Sequence, residues 1–368
     1  MSTLKVTSLS SLNQLPKEHW NEINHTSSTL LDWHFLNDLE LSSCVSNKAG
    51  WTPHHLMIDD FGGVLPSYLK SHSWGEFVFD WNWAEAYERH GLEYYPKLVT
   101  TIPFTPVSGD KLVSDTLTQV EIVNAVINHC KFYDIHSWHL LFCQKMTTPH
   151  PELFERHTIQ FHWFNRNYAD FDAFLSTFTA RQRKNVRKER QSIVDQGIEV
   201  THYSGADITN ELLDYFFIAY QSSYLKRQHT PHLNRDFFKR LITNLPDNVL
   251  LMMASKEDEF VASAFYIIDD KQLLGRYWGC SEEVNNLHFE LCYYQGIDYC
   301  IKHGLELFNP GAQGEHKIKR GFEPVTTYSY HWVANDDFRP AIKEYCKEEC
   351  EQLAHYKEEC KQLLPFKQ

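Results

Sequence analysis

Apolar and polar positions recur at two different periods along this chain, and the switches between them mark its elements. In the second half, Val249–Ser255, Phe260–Ile268 and Gln272–Gly279 read as three strands joined by short charged turns. Phe289, Cys292, Tyr293, Gly296, Ile297, Cys300 and Ile301 then recur at helical spacing and form one apolar stripe. Gly304 stands where a helix end favours glycine. Leu305–Phe308 and Thr327–Val333 read as two further strands.

The first half repeats that order without repeating the residues. His55–Ile58 and Val64–Lys70 read as strands around the turn at 59–63, and Lys97–Phe104 as a third, ended by Pro103 and Pro106. Leu117, Val120, Val123, Ile127 and Cys130 share one helix face. His136–Phe142 and Ile159–Phe164 complete the set. An aromatic segment, Trp74–Tyr95, is inserted between the second and third strands. Each half thus reads strand, strand, strand, helix, strand, strand.

Between the halves, Phe171–Gly197 reads as one long helix with Phe171, Phe174, Leu175 and Phe178 on its apolar face and six basic residues between 181 and 190. A last helix covers 344–364 and nearly repeats itself. The expected organisation is α/β (α+β), with domains at 1–166 and 167–368, the second carrying the basic linker helix at about 171–196 and the C-terminal helix. A chain of 368 residues is long enough for two such domains.

Composition narrows the function. The net charge of −13 argues against DNA binding. No apolar run approaches the roughly 20 residues that cross a bilayer, and the first residues lack the apolar core of a signal peptide, so a cytoplasmic location is expected. Nine scattered cysteines without a CxxC pair suggest reduced thiols and no metal site. No G-x-S-x-G elbow is present.

The densest chemistry is NPGAQGEHKIKRGFEP (309–324), where glycines alternate with Glu315, His316, Lys317, Lys319 and Arg320. Glycine permits close backbone approach, and the four basic side chains suit a phosphate or carboxylate. A basic surface turn is the plainer alternative. Together with PSYLKSHSWGEFVFDW (66–81), YYPKL (94–98), PFTPVSG (103–109), RQRKNVRKER (181–190), GRYWG (275–279) and HFELCYYQGI (288–297), this motif resembles the peptidoglycan biosynthesis/recognition family. These are predicted N-acyltransferases related to the Fem peptidyltransferases.

The resemblance implies two tandem GNAT-like domains, each with a mixed, mainly antiparallel sheet flanked by helices, and acyl transfer to an amine. It implies no tightly bound cofactor, with acyl-CoA or aminoacyl-tRNA as co-substrate. The segments 281–290 and 108–117 lack the glycine-rich turn with which acetyltransferases hold a pyrophosphate. Fem-type proteins also lack it and take their acyl group from aminoacyl-tRNA.

Acyl transfer to an amine needs a base. Glu290 and His316 are the candidates, with Glu315 as an orienting group, although a helix N-terminus would weaken Glu290 as a base. Lys317, Lys319, Arg320, Arg276, Tyr277 and His288 are donor-site candidates, and Lys319 matches a lysine that lies by the acyl-donor channel in Fem relatives. Arg276 could instead form a structural ion pair, since an arginine in an apolar strand needs a partner. Lys70, His72, Glu76, Asp80, Trp81, Tyr95 and Lys97 combine aromatic walls with charged tips and are acceptor-groove candidates. The basic helix at 181–190 could meet tRNA phosphates, or be a solvated linker. The competing reading is a protein that keeps the fold without the chemistry and binds a muropeptide or nucleotide-sugar.

Overall fold

The computed structural model describes residues 4–60, 62–111, 114, 117–312 and 314–367. Phe61, residues 112, 113, 115 and 116 of the segment 108–117, and Gln313 of the glycine-rich loop lie outside the described set. The chain divides into two units. The first takes residues up to Thr26, Leu30–Ile159 and Thr326–Tyr356, and the second takes Ser27–Thr29, Gln160–Val325 and Lys357 onward. Residues 326–356 therefore return to the first unit instead of staying with the second half.

The first unit opens with β1 (Val6–Leu9), α1 (Lys17–Ile23), α2 (Trp33–Leu41), β2 (Trp51–Pro53) and β3 (His55–Ile58). It continues with β4 (Gly63–Leu65), β5 (Ser67–Lys70), α3 (Trp81–Arg89), β6 (Lys97–Thr100), α4 (Gln119–Phe132) and β7 (Ser137–Cys143). The alternation predicts one strand over Val64–Lys70, but Pro66 divides it. A prolyl nitrogen has no hydrogen to give a ladder. β4 accordingly joins β3 and β1 in a small sheet, while β5 pairs β2 and β6 in the main one. β6 and β7 run parallel, with α4 as their crossover. Thr118 and Glu121 close a capping box at the start of α4. Ile122, Val123, Val126 and Ile127 then pack on Leu98, Trp138 and Leu140.

β8 (Phe154–Phe164) leads into the second unit. There the expected long linker helix is two, α5 (Phe171–Ser176) and α6 (Ala180–Asp195). The break at 177–179 has a cause: Thr179 N–H donates to Pro365 O and Lys367 N–H donates to Thr177 O, so this stretch pairs with the C-terminal segment. β9 (Ile198–Ser204), α7 (Asn210–Leu225), α8 (Arg235–Asn244), β10 (Val249–Lys256), β11 (Glu259–Asp269) and β12 (Gln272–Cys280) follow. A helical segment is built from α9 (Leu287–Phe289), a π-helical turn over Glu290–Tyr294 and α10 (Gln295–His303), and Gly304 ends it at φ 68°. β13 (Leu307–Asn309) comes next. β14 (Glu323–Val333) carries the chain back, and α11 (Arg339–Gln362) follows.

The strands of the second unit lie in the order β8-β13-β12-β11-β10-β9, and β12 and β13 alone among these run parallel. Each unit thus holds one parallel strand pair joined by a helix within a mainly antiparallel sheet, the GNAT-like arrangement. α7 packs against β12 so closely that a Cβ on Gly279 would lie 2.1 Å from the Ala219 carbonyl group. Gly279→Ala is expected to cost about 1–3 kcal/mol or more through overpacking, measured as a lowered urea midpoint. Among the described residues no helix is long and apolar enough to cross a membrane.

Candidate functional site

The parallel pair in the second unit is short. β12 and β13 pair only from Gln272–Leu307 to Leu274–Asn309. Pro310 then ends β13 while β12 continues to Cys280. Opposite β11 the register slips, so that Phe265 faces Tyr277 and Tyr266 faces Gly275, which leaves Arg276 as the extra residue of a bulge. The β12–β13 pairing therefore stops at Leu274 and Asn309, and Arg276–Trp278 lie beyond it. A cavity of about 100 Å³ fills the gap, lined by Ala264–Tyr266, Gly275–Trp278, His288, Cys292, Tyr293 and Pro310.

The helical segment brings two further groups to this cavity. His288 touches Trp278 edge-on and lies 6.0 Å, ring to ring, from His316. The Tyr293 hydroxyl shares a 2.7 Å hydrogen bond with His316 Nε2. His316 is exposed on its other side, one hydrogen bond behind the cavity. Burial first, then the positive charges of His316, Lys317, Arg320 and Arg227, push His288 down to about 4. Partial burial, then Lys317 and Arg320, also lowers His316. Burial raises the Tyr293 phenol well above its usual range. Near neutral pH the two imidazoles are therefore uncharged and the tyrosine keeps its proton.

The basic residues of the loop have separate tasks. Lys317 is buried, its Nζ donates to Gly311 O at 2.7 Å, and burial lowers it to about 7. Arg320 is also buried. It donates to His316 O at 2.7 Å and to both oxygens of Glu189 at 2.9 Å, and it lies over the Phe289 ring at 3.4 Å. Glu189 also accepts the Tyr294 hydroxyl. These contacts fix the backbone that carries His316. Gly311 and Gly321, at φ 95° and 87°, allow the loop its turns. Lys319 is exposed, and so is Glu315.

Glu290 does not share the cavity with His316. It accepts Arg190 at 3.0 Å and Gln295 at 2.8 Å, and it lines a separate open groove of about 820 Å³ with Asp298. Arg190 also pairs with Asp298 at 2.7 Å and Arg187 with Asp172 at 2.8 Å. Arg181, Lys184 and Lys188 remain exposed on one side of α6. A third cavity, of about 520 Å³, shares Trp278 and His288 with the first and is bordered by Glu282 and Glu283.

In the first unit, the acceptor-groove candidates form a buried ionic network. Lys97 donates to Ser73 at 2.7 Å, to Glu76 at 2.8 Å and to Asp80. Tyr94 also donates to Asp80, and Tyr95 bonds Ser73. Lys70 lies 3.7 Å from the centre of the Trp51 ring and 4.0 Å from Glu76, and donates to Trp74 O. His72 is half-buried against Ala49 O. These residues hold down the segment Ser71–Asp80, which carries Trp74 and Phe79 outward, 52% and 50% exposed, with Trp81 beside Trp74. Lys70, Glu76, Asp80 and Lys97 thus face one another and not an open groove.

Sequence reasoning named Arg276, Tyr277, His288 and His316 but passed over Tyr293 as part of an apolar helix stripe. The available signal was a tyrosine with its hydroxyl due to meet buried surface, which calls for a polar partner. Among the described residues no group of three or more His, Cys, Asp or Glu is placed to hold a metal ion.

A family model described as FemAB-like, peptidoglycan biosynthesis/recognition, matches residues 11–368. No curated protein matches. Among solved structures, a conserved protein of Bacteroides thetaiotaomicron aligns at TM-score 0.55 and 10% identity, over 90% of this chain and 100% of that one. FemX aligns at 0.52 and 11%, over 92% and 100%. L-PGS of Bacillus licheniformis aligns at 0.51 and 11%, over 85% and 96%. At these identities the likeness is one of fold.

Proposed function

Since this chain belongs to the FemAB-like peptidoglycan biosynthesis/recognition family, we propose that it is an N-acyltransferase that moves an acyl group from an activated donor to an amine. The observation that carries this reading is the splayed end of β12 and β13, where the two strands part beyond Leu274 and Asn309 around a small cavity bordered by Tyr293. The acyl carbonyl would lie in that cavity, with a backbone N–H of Arg276–Trp278 on its oxygen.

The acceptor nitrogen attacks the carbonyl carbon and a C–N bond forms. The tetrahedral oxyanion then collapses and the bond to the donor's sulfur or oxygen breaks. The proton lost by the amine passes to the Tyr293 oxygen as the tyrosine gives its own to His316, and the leaving group takes up one proton. His316 is better suited to this than His288, which at about 4 is too weak a base for neutral pH. Its exposed edge lets the proton exchange with water. Glu315 would orient the loop from outside. Lys319 and the exposed residues Arg181, Lys184 and Lys188 would meet the phosphates of an acyl-CoA or aminoacyl-tRNA. Lys317 and Arg320 would act indirectly, by holding the loop.

The test is to incubate the protein with labelled acyl-CoAs, charged tRNAs and a panel of amines, including muropeptide amines. Amide formation that depends on the protein is the expected result. Tight muropeptide binding without transfer from any donor would replace this reading with that of a binding protein.

A further inference from the structure

The segment 71–82 turns its charges inward and its rings outward. Glu76 and Asp80 are its two acidic groups, it has no lysine or arginine, and both carboxylates meet Lys97 inside the unit. Val78 is buried with Val99, Leu141 and Phe142. Gly75, at φ 83°, lies so close to Phe104 that a Cβ there would come within 2.7 Å of the ring. Aromatic rings are what the segment displays: Trp74 and Phe79 are half exposed, Trp81 is 37% exposed, and the Trp74 and Trp81 rings lie 5.2 Å apart. Lys97 holds Ser73 and Lys70 holds the Trp74 carbonyl. The rings thus stand on a fixed backbone, and covering them costs little further order.

Area and charge decide what covers them. A large aromatic side chain offers about 150–250 Å², so the exposed parts of the three total roughly 300 Å². A stable protein interface takes about 800 Å² from each partner, which leaves a second copy or another protein short of contact here. The Trp74 and Trp81 rings are tilted by 58° and offer no common plane on which a sugar ring could stack. A lipid interface needs no such plane, and tryptophan is enriched at headgroup depth. A face without lysine or arginine fits a zwitterionic surface, since a chain of net charge −13 is repelled by anionic lipid. Phe132 and Tyr133 form a contrasting pair, 81% and 56% exposed but flanked by the exposed charges of Lys131 and Asp134.

We infer that Trp74, Phe79 and Trp81 dock the first unit on the headgroup region of a zwitterionic lipid surface, as a peripheral and reversible contact. The rings enter the interface while the ionic network beneath them stays folded. Docking requires nothing of the acyl-transfer chemistry.

Sedimentation of the full chain with sucrose-loaded phosphatidylcholine vesicles tests it. Binding is expected, equal at low and high salt. Trp74→Ser with Phe79→Ser should lower the partition coefficient about tenfold or more, whereas Phe132→Ser should leave it unchanged. The urea midpoint of the double variant should match the wild type, because both side chains are half exposed. Brominated phosphatidylcholine should quench tryptophan fluorescence in the wild type, and Trp74→Ser should lose part of that quenching. This second measurement decides alone if the double variant fails to fold. No binding, or equally tight binding by a folded double variant, overturns the inference. So does binding that requires phosphatidylglycerol and disappears in salt, because charge then drives it. Self-association, or quenching by a soluble saccharide, that is lost in Trp74→Ser while vesicles are not bound would assign the patch to a second copy or a glycan and overturn it too.

Discussion

His316→Ala is expected to lower kcat by about 10²–10⁴, the usual contribution of a positioned general base. Tyr293→Phe should fall by a similar factor, because the phenol borders the cavity and shares a hydrogen bond with His316. KM for either substrate should change little, since neither group holds the ground state. The loss in His316→Ala should be partly restored by added imidazole, but not that in Tyr293→Phe. Partial burial with Lys317 and Arg320 lowers the His316 pKa. Activity should therefore be flat across neutral pH and fall only as the pH drops below the ordinary imidazole range, where the ring becomes protonated. Single-turnover rates over pH 4–9 (roughly the span of ordinary imidazole titration) read this directly. Unchanged single-turnover rates in both variants would remove the relay. If Glu290→Gln stopped turnover instead, the base would be the carboxylate in the groove with Arg190.

Lys97→Met is expected to destabilise the protein by about 3–5 kcal/mol, the usual cost of leaving buried charge without its partner. Lys97 is fully buried, and it is the shared donor to Glu76 and Asp80, both nearly as deep. Burial alone would raise Asp80, but Lys97 and then His139 hold its carboxyl well below the usual carboxylate range. A carboxyl with a depressed folded pKa stabilises the fold above its unfolded pKa, and that stability is lost as pH falls through the folded one. The wild type should thus lose the Asp80 contribution as pH falls from the ordinary aspartate range into strong acid, whereas Glu76, which burial raises to about 7 against the pull of Lys97, takes up its proton near neutral pH. In Lys97→Met the loss should be present already at neutral pH. Urea unfolding measures it. Adding Glu76→Gln and Asp80→Asn to Lys97→Met should recover a substantial part, because the orphaned charges are then gone. A Lys97→Met protein as stable as the wild type would mean that water reaches the network and screens it.

The contrast between these two sites shows what a sequence can disclose. The block from β12 to β14 could be read because each of its signals is local: alternation, an apolar stripe, Gly304 after a helix. Residues such as His288 and His316 then stood out by chemistry. Lys70 and Lys97 could not be placed the same way. A lysine in an alternating strand looks solvated, and only the return of the segment 71–80 over the sheet brings Glu76 and Asp80 to Lys97. Lys317 and Arg320 likewise looked like free cations for a phosphate. One meets a carbonyl six residues back, and the other a glutamate on α6. Pro66 was visible, but not that the two strands it separates belong to different sheets. Long-range pairing decided each of these cases.

The return of β14 to β7 has a consequence for synthesis on the ribosome. Val333 pairs with Ser137, so one side of β7 stays without its neighbour until almost two hundred further residues have been made. During that interval the nascent first unit presents a long apolar strand edge, the kind of edge that recruits other strands. A chaperone that occupies this edge should raise the yield of native protein most at slow translation. A stop placed between the two units should give an insoluble fragment and not an independent domain.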